Sequence, residues 1–490
     1  MKTDLHVLQK NIQGDVLPTV DVEKFSTDES MFKILPVGIV CPKNEADVVS
    51  IIQWAGENKI PITARGGGTG VAGQSIGSGL VVDFSKYMNH ILDILDEKVL
   101  VEPGVVLGDL NNQLSDHGLK IGPDPGSQNR CTIGGMIATN ASGPHALMYG
   151  STRDHVRSLN LVLSNGKSMN GHQLGVEMDS YVREIVKHKN LIQKSKRNVD
   201  KNSSGYFLEG LLEQPASFEK LIVGSEGTLA MVTQAELNLV PIPEKISFAV
   251  FGFQSMGQAL TNVKSLRESK ASCIELLDAT IIQTIRKENP SFLNELGIEN
   301  AKVSLWVEWC GEVPSAWKNL AKFSTSSQLE IQKIWKQRSS VSTWLHAQAV
   351  SQNRKPLRCI EDACVPMDQL VSFVMEATDL LERHDCKGAI FGHVGNGHLH
   401  INPGIRTDLP NLPERIETLM DKFYELVIGL GGTISGEHGD GILRTSYAKK
   451  QWKEIWPLFE FVKRSFDPQG IFNSDRKVPM QTYRLPALKY

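Results

Sequence analysis

A glycine-rich run begins at Arg65 and sets the first constraint on the fold. Five glycines fall within residues 66–73 of the sequence RGGGTGVAGQ. Glycine lets successive backbone N–H groups turn toward an anion, because no Cβ obstructs the approach. Gly68, Gly70 and Gly73 also fit the pattern G-x-G-x-x-G of dinucleotide-binding Rossmann domains. We therefore expect this run to bind phosphate, with a purely structural turn as the alternative.

The residues after this run argue against a Rossmann domain. That fold needs a helix directly after the loop and an acidic residue about 20 positions further on. Here the chain continues as SIGSGLVVDFS, which predicts a strand that ends at Asp83, only ten residues after Gly73. The glycine run is therefore predicted to belong to a different phosphate-binding fold.

Two further glycine-rich segments follow in the same half of the chain. The first comprises PDPGS at 123–127 and TIGGMIATNASG at 132–143, and the second is VGSEGTL at 223–229. Small residues permit close approach to a flat ligand, and their hydroxyl and amide groups can bind its polar edge. Any one segment could be a cluster of turns. Three segments together predict an extended cofactor that carries phosphate.

Histidines and acids form the other group of candidate residues, in GHVGNGHLHIN at 392–402 and GEHGDG at 436–441. Two imidazoles seven residues apart, with a turn between them, can converge from the two strands of a hairpin. A carboxylate from a later loop can then complete a three-ligand metal site with open positions. His398 and His400 share one face of an extended strand, so geometry alone leaves either as the second ligand. Ordinary surface or core histidines are the alternative.

Length and composition limit the class of protein. A chain of 490 residues with 41% hydrophobic and 22% charged residues fits two or more globular domains. Its formal net charge of -3 offers no basic surface for nucleic acid. Seven scattered cysteines without a C-x-x-C pair favour reduced thiols over a zinc ribbon or an iron–sulfur cluster. Without a signal-peptide pattern or an apolar run of about 18 residues, we expect a cytoplasmic protein with no transmembrane segment, peripheral to the inner membrane only through a partner.

Local patterns predict the secondary structure. Asn44, followed by Asp47, predicts the start of a helix over 46–56. The polar, basic run 193–205 predicts a long surface loop, and the pair Pro241 and Pro243 predicts a domain boundary. The strands predicted before this boundary are 60–64, 79–83, 98–102, 157–163 and 227–239. Beyond it, the predicted strands are 246–253 and 301–309, and the predicted helices are 256–270, 315–325, 367–384, 412–429 and 449–472.

The glycine-rich motifs together resemble the FAD-binding domain of the vanillyl-alcohol-oxidase flavoprotein superfamily. More closely, residues 35–475 are similar to the branch that holds D-lactate dehydrogenases, the glycolate-oxidase flavin subunit and D-2-hydroxyglutarate dehydrogenases. The resemblance implies an α+β fold. It implies a PCMH-type, two-subdomain FAD-binding domain at 35–243, followed at 244–475 by a substrate (cap) domain with a mainly antiparallel sheet. Some relatives attach flavin through a histidine in the first loop; residues 65–74 contain none, so noncovalent FAD is predicted.

The resemblance assigns each glycine-rich segment to a part of FAD. The residues that it places at the pyrophosphate are Arg65, Gly66, Gly67, Gly68, Thr69, Gly70 and Gln74. Those along the ribityl chain and the isoalloxazine ring are Pro123, Asp124, Ser127, Thr132, Gly134, Gly135, Ala138, Asn140, Ala141 and Gly143. Those near the adenine and ribose are Gly224, Glu226, Gly227, Thr228 and Val232.

The resemblance also implies roles in the oxidation of a small D-2-hydroxy acid, such as D-lactate, glycolate or D-2-hydroxyglutarate. His393, His400 and Glu437 correspond to ligands of a divalent metal, zinc or manganese, and His438 corresponds to the catalytic base. Asn402 corresponds to a substrate contact. Relatives often carry G-D-G-N where this chain has 395–398 as GNGH, which leaves open the identity of the metal and whether His398 joins the site.

Binding of the substrate carboxylate calls for a guanidinium, because a bidentate pair fixes its orientation. By resemblance to the family segment W-x-x-R, the sequence IWKQR at 334–338 offers Arg338 for this role. A solvated arginine on a helix is the alternative.

Two other functions stay open at this point: a noncatalytic flavin subunit that relays electrons, and an oxidase that reduces oxygen. The presence of all four metal and base residues favours an enzyme. Segments 354–366 and 433–441 resemble a branch in which this half is fused to an iron–sulfur half, which is absent from this chain. We therefore expect a separate acceptor, namely an iron–sulfur protein, a quinone or a cytochrome. A homodimer is also left open.

Overall fold

The structure is a computed structural model that describes residues 5–480 and residue 488. The strands of the described residues are β1 (Asp15–Val16), β2 (Gly38–Cys41), β3 (Ile62–Arg65), β4 (Leu80–Asp83), β5 (Ile91–Leu95), β6 (Lys98–Val101), β7 (Leu119–Lys120), β8 (Val156–Val162), β9 (Ser168–Asn170), β10 (Met231–Asn238), β11 (Val240–Pro241), β12 (Ile246–Phe253), β13 (Cys273–Leu277), β14 (Val303–Cys310), β15 (Phe323–Thr325), β16 (Arg354–Pro356), β17 (Ala363–Cys364), β18 (Lys387–Gly392) and β19 (His398–Arg406).

The α-helices of the same residues are α1 (Leu5–Lys10), α2 (Glu45–Asn58), α3 (Leu107–Ser115), α4 (Ile133–Thr139), α5 (Ala146–Tyr149), α6 (Gly171–Glu177), α7 (Asp179–Val186), α8 (Lys189–Ser195), α9 (Phe218–Ile222), α10 (Met256–Glu268), α11 (Ala279–Glu288), α12 (Pro290–Glu295), α13 (Ser315–Lys318), α14 (Gln328–Ser351), α15 (Leu370–Arg383), α16 (Leu412–Gly429), α17 (Gly441–Gln451) and α18 (Trp456–Phe466).

The described residues of the first half form two larger sheets and one two-stranded sheet, in which β7 pairs with β11. One has four strands in the order β1-β2-β4-β3, with β2 and β3 both parallel to β4. The other has five antiparallel strands in the order β5-β6-β10-β8-β9. Helix α2 begins as predicted after Asn44, whose side chain accepts a hydrogen bond from the backbone N–H of Asp47 at 3.0 Å. The glycine-rich run leaves the first sheet at the end of β3.

The second half is built on one antiparallel sheet. Its main path runs β15-β12-β14-β13-β18-β19-β16, and β17 pairs with β19 beside this path. Every pair of strands in it is antiparallel. The predicted α+β fold, with a mainly antiparallel second sheet, is therefore confirmed. Among the described helices, none is both long and apolar enough to cross a lipid bilayer.

The end of the chain returns to the first half. The backbone N–H of Ile62 in β3 donates to the carbonyl of Ile471 at 2.7 Å, and Phe472 joins the apolar core under the first sheet. Buried Lys463 in α18 donates to the carbonyl of Thr228 in the third glycine-rich segment at 2.8 Å. These contacts fix the glycine-rich loops against residues that come from the far end of the sequence.

Three local predictions are wrong. Residues 315–325 form a single helical turn, α13, followed by strand β15, because pairing with β12 overrides helix propensity there. The span 449–472 contains two helices that are interrupted at Trp452, and Pro457 lies in the first turn of the second. Residues 193–205 do not form a surface loop throughout, since Lys201, Ser203 and Ser204 are buried.

Candidate active site

A cavity of about 430 Å³ has residues of both halves in its walls. Its volume falls in the range of small-molecule and cofactor sites. Glycine-rich segments contribute to one part of the wall, and the histidine and acid residues contribute to another. The lining residues that were predicted to bind the cofactor are Gly66, Gly67, Gly68, Thr69, Gly70, Gln74, Ser127, Thr132, Gly135, Ala138, Ala141, Glu226 and Gly227.

The packing of the first glycine-rich loop excludes larger side chains. A Cβ added to Gly67 would lie 2.0 Å from the carbonyl oxygen of Arg130, and one added to Gly66 would lie 2.0 Å from Thr132 Oγ1. The loop backbone thus lies directly against the second glycine-rich segment. In that segment Gly126 also lines the cavity, and a Cβ there would meet no atom within 4 Å. A tight double loop that borders an open cavity fits a flat cofactor that carries phosphate.

Other residues predicted to bind the cofactor lie outside the lining of this cavity. Arg65 donates hydrogen bonds to the carbonyls of Thr27 at 3.0 Å and Ser75 at 3.2 Å, so it braces the loop from behind. Gln74, which does line the cavity, donates to the carbonyl of His438 and so ties the first loop to the later acid segment. The remaining residues outside the lining are Pro123, Asp124, Gly134, Asn140, Gly143, Gly224, Thr228 and Val232. Their contacts with FAD stay predictions.

Asp124 takes part in an ion pair that joins the two halves. Its carboxylate lies 2.5 Å from Nδ1 of His145, and Nε2 of the same imidazole lies 2.8 Å from Glu308 on β14. Burial lowers the pKa of His145, but the carboxylates of Asp124 and Glu308 outweigh it and raise the pKa to about 10. Trp335 on α14 donates to the other oxygen of Glu308 and extends the network toward Arg338.

The three predicted metal ligands converge on one point. His393 Nε2 lies 3.3 Å from Glu437 Oε1, His400 Nε2 lies 3.4 Å from the same oxygen, and the two nitrogens are 3.5 Å apart. Ligand atoms held at about 2.05 Å from a tetrahedral ion are about 3.3 Å from one another. The spacing therefore fits a divalent transition-metal ion. His393 directly follows β18 and His400 lies on β19, so the predicted hairpin geometry is found.

Each of the two histidines is held by a hydrogen bond at Nδ1, the ring nitrogen that points away from the cluster. His393 Nδ1 lies 2.5 Å from Glu275 Oε1, and His400 Nδ1 lies 3.0 Å from the carbonyl of Glu361. Both bonds place the ring proton on Nδ1 and leave Nε2 free to bind a cation. Burial raises the pKa of Glu437, but nearby cationic groups, first among them Lys201, hold it well below its usual range.

Glu437 is held by two residues from the first half of the chain. Its Oε2 accepts hydrogen bonds from Ser142 Oγ at 2.7 Å and from Lys201 Nζ at 2.8 Å. The side chain of Lys201 is only 3% exposed, and its ammonium also donates to the carbonyl of Gly143 at 3.2 Å. With Oε2 engaged, Oε1 is the oxygen that faces the imidazoles. The carboxylate is thereby oriented to act as a monodentate ligand.

His398 occupies a different position from the other histidines. Its Nε2 lies 2.8 Å from Asp362 Oδ1, and its Nδ1 lies 3.3 Å from Lys201 Nζ. Burial and the ammonium of Lys201 lower the pKa of His398 to about 3, so the ring is neutral. His398 lies in one group with His393, His400 and Glu437, whose ligand atoms are within 4.8 Å of one another, but both of its ring nitrogens already contact other side chains.

His438 stacks on His400 at the edge of the cavity, with ring centroids 5.3 Å apart. Its Nδ1 lies 2.7 Å from Glu361 Oε2, and its Nε2 lies 3.5 Å from Glu437 Oε1. Burial lowers the pKa of His438, while the carboxylates of Glu361 and Asp362 raise it, with a net value of about 9. The bond to Glu361 places one proton on Nδ1 and directs Nε2 toward the ligand cluster.

Arg338 and Asn402 both line the cavity. Arg338 lies on α14, and its Nη2 is 2.5 Å from Glu275 Oε2, whose other oxygen bonds His393. The guanidinium also lies over the ring of Phe391 at 5.5 Å. Arg338 is therefore part of a chain of ion pairs that reaches His393 through buried Glu275, and it is not a solvated helix arginine.

Sequence reasoning missed the acids and cations that surround the ligands. Glu275 was a single acid in the apolar strand CIELL, which was a usable signal, because an unpaired buried carboxylate is costly. Glu361 and Asp362 lay unexamined in RKPLRCIEDACVP, and Arg444 Nη2 binds Glu361 at 2.5 Å. Lys201 gave no such signal, since its surroundings are polar and basic.

Comparisons with known proteins match both halves of the chain. Residues 36–171 match the family model described as "FAD binding domain", and residues 242–476 match "FAD linked oxidases, C-terminal domain". A D-2-hydroxyglutarate dehydrogenase of Haemophilus influenzae is 29% identical over 95% of this chain and 50% of its own length. The chain spans about half the length of the D-2-hydroxyglutarate dehydrogenases that it matches.

Relatives of similar length are matched almost from end to end. Glycolate oxidase subunit GlcD of Bacillus subtilis is 31% identical over 90% of this chain and 89% of its own length. A D-lactate dehydrogenase of Archaeoglobus fulgidus is 27% identical over 95% of this chain and 97% of its own. The fold is shared with 4-ethylphenol oxidase from Gulosibacter chungangensis, with a TM-score of 0.65 at 14% identity over 98% of this chain and 94% of the other. The chain belongs to the FAD-linked oxidase family.

Proposed function

We propose that the chain is an FAD-dependent dehydrogenase that oxidises a small D-2-hydroxy acid to the corresponding 2-oxo acid. The observation that carries this proposal is the position of the ligand cluster. Three ligand atoms 3.3–3.5 Å apart border the same cavity as the glycine-rich loops. A hydroxy acid bound at the cluster would therefore lie beside a cofactor held by those loops.

We position the substrate in the cavity through its carboxylate and its C2 hydroxyl group. The guanidinium N–H groups of Arg338 that do not face Glu275, together with the amide of Asn402, would bind the substrate carboxylate. A planar guanidinium can donate two parallel hydrogen bonds to a carboxylate and so fix its orientation. Glu275 holds the other edge of the guanidinium and so limits its rotation. The C2 hydroxyl would then lie near His438.

His438 would take the hydroxyl proton at Nε2. Glu361 holds the opposite nitrogen, so the ring keeps one tautomer throughout. When bound, FAD supplies the hydride acceptor N5, and a divalent cation, zinc or manganese, stabilises negative charge that develops on the hydroxyl oxygen. A cation held by His393, His400 and Glu437 would oppose protonation of His438 and favour the neutral imidazole that a base requires.

We also propose a separate role for each of the two domains. Residues 35–243 would bind FAD without a covalent link, and residues 244–475 would supply the metal ligands and the substrate pocket. The assignments of FAD-binding residues are proposed as given above. The reduced flavin would pass its electrons to a separate iron–sulfur protein, quinone or cytochrome.

Anaerobic bleaching of the bound flavin tests the proposal. The purified protein is mixed with D- and L-2-hydroxy acids in the absence of oxygen, before and after chelation, and flavin absorbance is followed. We expect reduction by D-lactate, glycolate or D-2-hydroxyglutarate, no reduction by L-lactate, and loss of reduction after chelation. A flavoprotein that none of these acids reduces would contradict a dehydrogenase of this class. Full activity in His393→Ala would contradict the metal site while leaving the flavin site intact.

A further inference from the structure

We propose that Arg358 recognises a second anionic group of the substrate, so that the site takes dicarboxylic 2-hydroxy acids in preference to monocarboxylic ones. This inference rests on the proposed function and concerns the same site. It identifies a specificity residue that none of the sequence motifs indicated.

The active-site cavity shares a wall with a larger cavity, and Arg358 belongs to that shared wall. The second cavity has a volume of about 870 Å³, and its lining includes residues of the antiparallel sheet, of α11, of α14 and of α15. The two cavities share Glu29, Ser342, Arg358 and Asn402. A group that extends from C2 of a bound hydroxy acid past Asn402 would therefore reach the guanidinium.

Strand register gives the distance that such a group must span. The backbone N–H of Leu357 donates to the carbonyl of Pro403 at 3.1 Å, so Arg358 runs beside Asn402. Asn402 and His400 point to the same side of β19, and residues two apart in a strand are separated by about 6.7 Å. From the C2 hydroxyl oxygen to an oxygen of the C5 carboxylate, an extended five-carbon diacid spans five bonds, or about 6 Å, and the arginine side chain covers the remaining distance. A five-carbon diacid is long enough to reach Arg358 from the metal ligands, whereas lactate has no group at that distance.

Arg358 is also free to bind an anion. Within residues 5–480, its exposed guanidinium has no hydrogen-bond or ion-pair partner. The neighbouring arginine, Arg354, is bound to Asp385 at 2.8 Å. The acid that both cavities share, Glu29, is paired with Arg130 at 3.0 Å. A cation without a partner between two cavities is suited to bind a carboxylate that the ligand brings.

Three substrates separate the contribution of the second carboxylate. D-2-hydroxyglutarate carries it, D-2-hydroxyvalerate has the same carbon count without it, and D-lactate has no extension. The second-order rate constant of anaerobic flavin reduction is measured for each substrate with the metal-loaded flavoprotein. The variants are Arg358→Gln and Arg358→Lys, with Arg406→Gln as the control. Arg406 lies on β19, is paired with Asp408 and lines neither cavity.

We expect the unmodified protein to prefer D-2-hydroxyglutarate over D-2-hydroxyvalerate by about 100-fold, as for loss of one charged hydrogen-bonding partner. Arg358→Gln should abolish most of this preference while changing the rate constants for D-lactate and D-2-hydroxyvalerate less than about threefold. Arg358→Lys should retain part of the preference, and Arg406→Gln should keep all of it.

An unchanged preference in Arg358→Gln would overturn the inference and leave the proposed function standing. An equal fall for all three substrates would overturn it too, because Arg358 would then contact the carboxylate that they share. Failure of all three to reduce the flavin of the unmodified protein would overturn the proposed function, and this inference with it.

Discussion

The substitution Glu361→Gln tests how the structure sets the protonation of His438. Arg444 is fully buried and can only donate, so the amide oxygen of the introduced glutamine should face it, as Glu361 Oε1 does now at 2.5 Å. The amide NH₂ then faces His438 Nδ1 where Oε2 lies now, at 2.7 Å. An N–H donor at that place requires Nδ1 to accept. The neutral ring must then carry its proton on Nε2, the atom that is proposed to take the substrate proton.

The expected loss is large because the change reverses the tautomer. The same carboxylate-to-amide change beside a catalytic histidine in a serine protease lowers kcat about 10⁴-fold. Here we expect flavin reduction to slow about 10³-fold, which corresponds to about 4 kcal/mol of activation free energy. Substrate affinity should change little, because Glu361 has no part in the proposed carboxylate contacts. Stability should fall as well, since buried Arg444 would keep only Asp362, at 3.9 Å, as a charged partner.

Single-turnover flavin reduction by the preferred hydroxy acid measures this effect. Flavin and metal contents are determined first, and thermal unfolding shows that the variant is folded. Asp467→Asn is the matched control, because Asp467 is a buried carboxylate paired with Lys463 and lies outside both cavities. A reduction rate within about tenfold of the unmodified protein would refute the tautomer argument. An equal loss in Asp467→Asn would attribute the effect to general destabilisation.

Three further substitutions test other parts of the structure. Ser142→Ala removes one of the hydrogen bonds that orient Glu437, so metal affinity, measured by competition with a chelator, should fall about tenfold; unchanged affinity would contradict the positioning role. The pKa of His145 is raised to about 10, so its ion pairs stabilise the fold fully below the unfolded pKa near 6.5 and are lost as pH rises through 10. His145→Gln should therefore lower Tm at pH 6 by several degrees, with the difference shrinking toward pH 10; a constant difference would refute this. Gly67→Ala should abolish flavin binding, measured by absorbance, because its Cβ meets a carbonyl at 2.0 Å, whereas Gly257→Ala, with open space at its Cβ, should bind flavin normally.

Elements whose position depends on the local sequence pattern were predicted correctly. Elements that form only through contacts with distant residues were not. Strand β12 and helix α16 were located to the residue, because their apolar periodicity and flanking residues suffice. The hairpin that brings His393 and His400 together was likewise readable from its spacing. Strand β15 was not, because a three-residue edge strand forms only when β12 is there to pair with it.

The acids around the ligand cluster could not be predicted from the sequence, because their partners are also distant in the chain. Three acids contribute to the site because each hydrogen-bonds a histidine or arginine more than 35 residues away in the sequence: Glu275, Glu361 and Asp362. Nothing in the local sequence could assign Glu361 Oε1 to Arg444 and Oε2 to His438. Pairings of this kind become visible only when the sheet and the loops are assembled.

Glu437 shows why the site depends on both halves of the chain. The imidazoles that face its Oε1 come from the antiparallel sheet, whereas Ser142 and Lys201, which hold its Oε2, come from the half with the glycine-rich loops. Ser142 belongs to the segment predicted to lie along the flavin ring, and the ammonium of Lys201 bonds the carbonyl of Gly143 in the same segment. Any movement of that segment therefore moves the oxygen that faces the imidazoles. The second glycine-rich segment and the ligand cluster form one hydrogen-bonded unit. Under the proposed function, the geometry of a substrate at the cluster would therefore be set by residues of the same segment that is proposed to border the cofactor.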